Sequence, residues 1–329
     1  MNCTRRGFLK GGIGSGVLAT APVTEGHAVF EKRAGLKGFQ PLKLRRVTLR
    51  VGASRPFKAI HLSDTHLARA AQADGEEKIR LAAARHADTW FGEYYLWQAI
   101  EKARRTKALL LHSGDMIDFV SEANLAFAER VFGSDDWFVA AGNHEYSRFL
   151  GEAREDAAYK AGSYAKVSAH YPNDLTFASR IVNGVNFVSA DNVYYNFTEK
   201  QLALMKREVA KGLPMVFLCH VPIYVHEHYE RQMAKTGGLC AYETGVPPEL
   251  VSLWKGPAFD RHNWRDRRVQ QRTDAATAEF VAYLKAQSLV RAVLCGHCHE
   301  FWLGRFSPSA VMCVADATYQ GWCSELTFV

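Results

Sequence analysis

Five short apolar runs along this chain each stop at residues of the metal-ligand type. The clearest spans residues 109–118, LLLHSGDMID. A continuous apolar run closed by a Ser-Gly turn reads as a buried strand with Asp115 at its carboxyl end. In open α/β sheets that end is where ligands sit. The same grammar returns in AIHLSDTH (Asp64, His66), WFVAAGNHE (Asn143, His144), MVFLCH (His220) and AVLCGHCH (His297, His299). One such run is noise. Five of them, each placing Asp, Asn or His at a strand end, describe a polynuclear metal site.

The stretches between these runs predict the remaining elements. Residues 42–51, LKLRRVTLRV, alternate as an edge or half-exposed strand. Residues 75–105 read as helix broken at Gly92, with Leu81, Leu96 and Ile100 on the inward stripe. A helix over 121–132 follows the 109–118 run, and the polar residues 145–170 read as helical. Strands at 185–192 and 214–220 flank a helix from Glu199 to Lys211. Residues 221–272 break the rhythm. With Pro222, Pro247, Pro248 and Pro257 they read as an inserted loop region of little regular structure. A helix from Thr273 to Gln287 leads to the strand before Gly296, and residues 309–329 read as two closing strands. The mixed order predicts two packed sheets with helices outside rather than a single Rossmann sheet.

The 329 residues are 48% hydrophobic, enough to bury a full core. The formal charge of +7 suits anionic substrates, but it is spread out. No basic tail or basic–aromatic platform marks a nucleic-acid-binding module. The amino terminus changes the picture more. Arg5-Arg6 precede Phe8-Leu9-Lys10 and a modest apolar stretch, and Ala28 offers a cut site, so residues 1–28 resemble a twin-arginine export signal. The apolar stretch of 13 residues falls short of the roughly 20 that span a bilayer. The expectation is a single domain over 29–329 that uses the twin-arginine machinery, is periplasmic or secreted, and has no membrane span once the signal is removed. Six cysteines follow residue 28, at 219, 240, 295, 298, 313 and 323. Their spacing gives no pairing. Cys219 and Cys295 read as buried thiols.

D-x-H at 64–66, G-D at 114–115, G-N-H-E at 142–145, His220 and G-H-C-H at 296–299 together resemble the five-block signature of the calcineurin-like metallophosphoesterases. The resemblance covers residues 57–329. It implies a four-layer αββα sandwich of two mixed β-sheets, with two divalent transition-metal ions (Mn, Fe or Zn) at the strand ends. Carried over residue by residue, Asp115 bridges the ions. Asp64, His66 and His299 complete one, and Asn143, His220 and His297 the other. A bridging water, acidified to hydroxide, attacks phosphorus in line. His144 contacts the phosphate and serves the leaving oxygen, and Asp118 orients His144. His61, His112 and His170 read as structural.

The implied activity is hydrolysis of phosphomonoesters, phosphodiesters or both. The alternative is an exported binding protein for metal or phosphate ligands that has lost turnover, although no ligand or acid is missing from the pattern. Phe119 stands where the protein Ser/Thr phosphatases of this superfamily carry arginine. Asp118 stands where purple acid phosphatases carry a metal-binding tyrosine. What remains is the broad group of small phosphodiesterases and nonspecific phosphatases acting on small phosphorylated substrates. The insertion at 221–272 begins at ligand His220, which places Tyr224, His226 and His228 within reach of the pocket. Arg265, Arg268 and Arg272 fall at helical spacing, and Arg265 and Arg268 are the candidate substrate clamps. Trp254 and Trp264 are candidates for stacking or core.

Overall fold

The computed structural model describes residues 40–89, 91–149, 157–255 and 267–329. The export signal, Trp264 and Arg265 lie outside these residues. Eleven strands and nine α-helices are named here in chain order. The first half holds β1 (Lys43–Leu49), β2 (Phe57–Leu62), α1 (Glu76–Thr89), α2 (Phe91–Thr106), β3 (Leu109–His112), α3 (Glu122–Phe132), β4 (Trp137–Val139) and α4 (Ala157–Ser168). The second holds β5 (Phe177–Val182), β6 (Val185–Ala190), α5 (Glu199–Val209), β7 (Met215–Leu218), α6 (His226–Lys235), α7 (Pro248–Val251), α8 (Arg267–Gln270), α9 (Ala275–Ala286), β8 (Val290–Cys295), β9 (Trp302–Arg305), β10 (Val311–Val314) and β11 (Trp322–Phe328).

The strands form two mixed sheets, ordered β1-β11-β2-β3-β4 and β5-β6-β7-β8-β10-β9. Between the sheets, Leu49, Ala59, Leu111 and Phe138 of the first meet Phe187, Val216, Leu218 and Leu294 of the second. The other face of the second sheet is covered by Leu202 and Met205 of α5 and Phe280 and Leu284 of α9. On the first sheet's side, α2 buries Leu96 and Ile100, and α3 buries Leu125, Ala128 and Val131. This is the expected αββα layering. It explains why β7 is apolar throughout and β3 is apolar up to the buried His112, because strands covered on both faces have no solvent side to mark with polar residues. The helix starts follow local chemistry. The Ser121 hydroxyl accepts from Asn124 N at 3.0 Å, and the Asp274 carboxylate from Thr277 N at 2.7 Å.

Within each sheet the site-bearing strands run parallel, β2-β3-β4 in one and β7-β8 in the other. The loops carrying Asp64, Asp115, Asn143, His220 and His297 therefore leave the carboxyl ends of five strands.

Four expectations need correction. The helix over 75–105 is not broken at Gly92, which lies inside α2. Gly92 has a packing reason: a Cβ there would run into the carbonyl of Thr65 in the loop after β2. Residues 221–272 are more regular than expected. They contain the ten-residue α6 and two one-turn helices, over a small core of Tyr229, Cys240, Val246, Val251 and Trp254. The sequence of α6, HEHYERQMAK, carries only Tyr229 and Met233 as an apolar pair, too little to show a period. Strands β5 and β9 were not anticipated. Both are short outer strands with exposed positions. Finally, α8 ends at Gln270, so Arg272 lies beyond it and the three arginines do not share one helix.

Candidate metal centre

The loop after β2 runs beside the loop after β3. Asp64 N donates to Gly114 O at 2.9 Å, and Thr65 N and His66 N donate to Asp115 O at 2.8 and 3.0 Å. Gly114 adopts φ +98°, and a Cβ on it would stand 2.6 Å from both Gly142 N and His220 Nδ1. Only glycine lets the loops after β3, β4 and β7 come together here. The second sheet is tied in by His297 N, which donates to Asp64 Oδ2 at 2.9 Å.

All seven expected ligand residues meet at this junction. Asp64 Oδ1 lies 3.1 Å from His299 Nε2 and 3.7 Å from His66 Nε2, and these two nitrogens are 3.2 Å apart. Across Asp115, Oδ2 lies 3.2 Å from His220 Nε2. His220 Nε2 is in turn 3.1 Å from Asn143 Oδ1 and 3.2 Å from His297 Nδ1. Donors bonded to one ion at about 2.1 Å stand about 3.0–3.4 Å apart, so every one of these spacings except the 3.7 Å between Asp64 and His66 matches an edge of a coordination polyhedron. Asp64 Oδ1 is buried and accepts no hydrogen bond. A buried carboxylate oxygen without a donor is costly unless a cation serves it. Five of the seven, Asp64, His66, Asp115, His297 and His299, hold φ between +50° and +69°, strain that non-glycine residues carry where geometry is imposed for function. The residues present therefore fit two divalent ions.

A third group, His66, Asp118 and His144, is close enough to hold an ion. It is instead a hydrogen-bonded support. Asp118 Oδ1 accepts from His66 Nδ1 at 2.9 Å, and Oδ2 accepts from Arg85 Nε of α1 at 2.6 Å. Burial pushes the Asp118 carboxyl up, but His144, His66 and Arg85 outweigh it and hold it well below the usual carboxylate range. Asp118 was expected to orient His144 through its carboxylate. The closer contact is with its backbone: His144 Nδ1 donates to Asp118 O at 2.7 Å, while Oδ1 is 3.3 Å away. His144 N donates to Asp115 Oδ1 at 2.9 Å. Burial disfavours the His144 imidazolium, but the charges of Asp115 and Asp118 prevail and raise its pKa to about 10.

The histidines set aside as structural behave so. Burial pushes His61 down to about 4 and His112 down to about 3. Neutral, they bond Ser113 Oγ and Thr65 Oγ1, each at 2.9 Å. His170 pairs with Glu129. The six cysteines are free and buried. Cys298 packs in the core between two ligand residues. His226 is exposed and faces Glu230, His228 is buried against Glu243, and Tyr224 packs on Tyr229, so none of the three reaches the cluster. Trp254 is core, with Nε1 donating to Tyr229 Oη at 3.2 Å. Arg268 is exposed and does not line the cleft beside the cluster.

Four supporting residues were missed. Arg85 sits on a helix that offers no motif. Tyr195 Oη is 3.2 Å from His297 Nε2, and Tyr319 Oη is 3.3 Å from His299 Nδ1, so both contact the ring nitrogen turned away from the cluster. Glu145 was in view within G-N-H-E but carried no assigned role. Its buried carboxylate accepts from Asp115 N and Met116 N at 2.8 Å, Gly142 N at 2.6 Å and Tyr171 Oη at 3.0 Å. It clamps the loops after β3 and β4. Burial and the nearby Asp115 charge raise its pKa. Glu145→Gln puts an amide N–H₂ against these donors and is expected to lower stability by about 2–4 kcal/mol. Urea unfolding of the metal-free protein reads this; a change within about 0.5 kcal/mol would show that the loops hold without the clamp.

No curated protein matches the chain. Among solved structures, a dimetal phosphatase from Danio rerio is 12% identical, with 80% of this chain and 88% of that chain covered at a TM-score of 0.45. A 5'-nucleotidase from Candida albicans is 12% identical over 84% of this chain and 48% of that one, at 0.37. The phosphopantetheinyl hydrolase from Mycobacterium tuberculosis is 12% identical over 79% and 90%, at 0.35. A family model described as calcineurin-like phosphoesterase matches residues 57–301. That span is most of the chain and holds every residue of the converging cluster, and on it the chain belongs to the calcineurin-like phosphoesterase family of metal-dependent hydrolases.

Proposed function

We propose that this protein is an exported dinuclear phosphoesterase acting on phosphomonoesters, phosphodiesters or both. Asp64, His66 and His299 hold one divalent ion, Asn143, His220 and His297 hold the other, and Asp115 reaches both. Imidazole, carboxylate and amide donors suit Mn, Fe or Zn. The observation that carries this reading is the meeting of the two donor groups at one oxygen. Asp115 Oδ2 is 3.2 Å from His220 Nε2 and 3.7 Å from His66 Nε2.

Two divalent ions, when bound, acidify water and neutralise charge on phosphoryl oxygens. The chain's own residues set the rest. Only Asp64 and Asp115 of the seven donors are anionic, so the loaded site keeps net positive charge for an anionic ester. His144 Nδ1–H donates a hydrogen bond to Asp118 O, which leaves Nε2 as the nitrogen that holds or releases a proton at the leaving oxygen.

The test uses residues 29–329 loaded with Mn²⁺, with Asp115→Asn as the blank. Hydrolysis of bis(4-nitrophenyl) phosphate or 4-nitrophenyl phosphate above the blank is expected. Turnover no greater than the blank with two ions bound would return the binding-protein alternative. Export rests on residues 1–28 with Arg5-Arg6. Among the described residues no helix is long and apolar enough to cross a membrane. Changing both arginines to lysine is expected to retain unprocessed protein in the cytoplasm. Processed protein outside the cytoplasm in that variant would remove the twin-arginine assignment.

A further inference from the structure

The four ligand histidines differ in what lies behind them. With an ion on the nitrogen that faces the cluster, each ring carries its proton on the other nitrogen, and that N–H needs an acceptor. His66 Nδ1 has the Asp118 carboxylate at 2.9 Å, and His220 Nδ1 has Ser113 O at 2.8 Å. His297 and His299 have phenols instead. His297 Nε2 stands 3.2 Å from Tyr195 Oη, and His299 Nδ1 stands 3.3 Å from Tyr319 Oη.

Tyr319 does more than back one ring. It lies on the 3₁₀ turn Thr318–Gln320, where the chain crosses from β10 of the second sheet to β11 of the first. Its backbone N donates to Asp64 O at 3.3 Å. Its ring meets those of His66 and His299 edge to face, with centroids 5.5 and 5.4 Å apart. Asp64, His66 and His299 are the donors of one ion, and they come from both sheets. Tyr319 makes no hydrogen bond or ring contact with Asn143, His220 or His297, the donors of the other. Two further bonds fix its place. Gln320 Nε2 donates to Tyr319 Oη at 3.1 Å, and Thr318 N donates to Ser63 O at 2.8 Å, which ties the turn to the loop that bears Asp64.

Tyr195 stands on the other side. It is buried between β6 and α5, with its ring 5.8 Å from that of His297. It holds φ +68° and His297 holds φ +69°. A left-handed backbone is costly for an aromatic residue and is retained where the surroundings impose a geometry.

We propose that Tyr319 and Tyr195 are positioning residues that set the two metal affinities separately. Tyr319 acts on the ion of Asp64, His66 and His299, and Tyr195 on the ion of Asn143, His220 and His297. The proposal rests on the two-ion site proposed above. A phenol oxygen that accepts the rear N–H fixes the rotation of the imidazole ring and makes the ligating nitrogen a better donor. Phenylalanine keeps the ring packing and removes that acceptor.

The test reads metal rather than turnover. Protein loaded with Cd²⁺ is expected to give two ¹¹³Cd signals, assigned by the one that His299→Ala removes and the one that His297→Ala removes. Competition with a chelator, followed on each signal, gives the affinity of each ion. Tyr319→Phe is expected to weaken the His299 ion about 10–100-fold and to shift its signal, while the other ion stays within about twofold. Tyr195→Phe is expected to do the reverse. Tyr319→Leu, which removes the ring as well, is expected to weaken the His299 ion further. Equal weakening of both ions in each phenylalanine variant, or affinities all within about twofold of wild type, would overturn the proposal. If Tyr195→Phe does not fold, the half-buried Tyr319→Phe decides by the same criteria. A wild type that binds fewer than two ions would sink the two-ion site and this proposal with it, whereas two ions with unchanged affinities would sink this proposal alone.

Discussion

Asp115→Asn is expected to lower bound metal from two ions per chain to one or none and to reduce kcat/KM by about 10³-fold or more, a loss of roughly 4 kcal/mol. The side chain is held from three directions. Its backbone N donates to Glu145 at 2.8 Å, its φ is +58°, and its Oδ1 accepts from His144 N at 2.9 Å. Oδ2 is left to face both donor groups. Asparagine keeps the shape and can keep the bond from His144 N. What it removes is the protein's own negative charge between two cations, which offsets their mutual repulsion. The fold is expected to survive, because the clamp by Glu145 acts on the Asp115 backbone, which asparagine retains. Metal content by mass spectrometry and kcat/KM on the same preparation check this together. Two tightly held ions with activity within tenfold of wild type would remove Asp115 as the bridge.

The metal centre was legible because strand ends and ligand types coincide in sequence. Each of the five blocks is local, and a buried parallel strand followed by Asp, Asn or His states both the element and the residue. The support of that centre was much less legible. Arg85 reaches Asp118 from a helix whose only sequence signal is amphipathic, and Tyr195 and Tyr319 meet their histidines through tertiary packing. Glu145 could have been found, since an acid directly after the Asn143-His144 pair enters the same turn. The insertion failed for a different reason. Prolines at 222, 247, 248 and 257 were weighed as breakers, yet α6 lies between Pro222 and Pro247, and its ten residues hold few apolar positions. It is stabilised by Tyr229 packing into a small core of its own, which a local pattern does not report. The two sheets were read correctly from element order, while the outer strands β5 and β9, half exposed, gave no alternation strong enough to see.

His144→Ala is expected to reduce kcat by about 10²–10⁴-fold while both ions stay bound. The ring packs edge-to-face on His66, with centroids 4.6 Å apart, but His144 is not one of the seven donor residues. Nδ1 is occupied by Asp118 O, and the backbone N that serves Asp115 is untouched by the substitution. A proton donor has a further signature that a phosphate contact lacks. A 4-nitrophenyl ester expels a stable phenolate and needs little help, whereas an alkyl ester expels an alkoxide that must be protonated as it leaves. The defect of His144→Ala is therefore expected to be near the low end of the range for 4-nitrophenyl phosphate and near the high end for an alkyl phosphate such as glycerol 2-phosphate. An equal loss on both would assign His144 to phosphate binding alone. Asp118→Asn separates the two functions of the neighbouring loop. Its carbonyl still accepts from His144 Nδ1, but its side chain no longer offers two anionic oxygens to His66 and Arg85. The expected result is weaker metal binding on the His66 side with the leaving-group dependence preserved. If Asp118→Asn instead reproduces the His144→Ala pattern at full metal content, the carboxylate rather than the carbonyl sets the His144 proton.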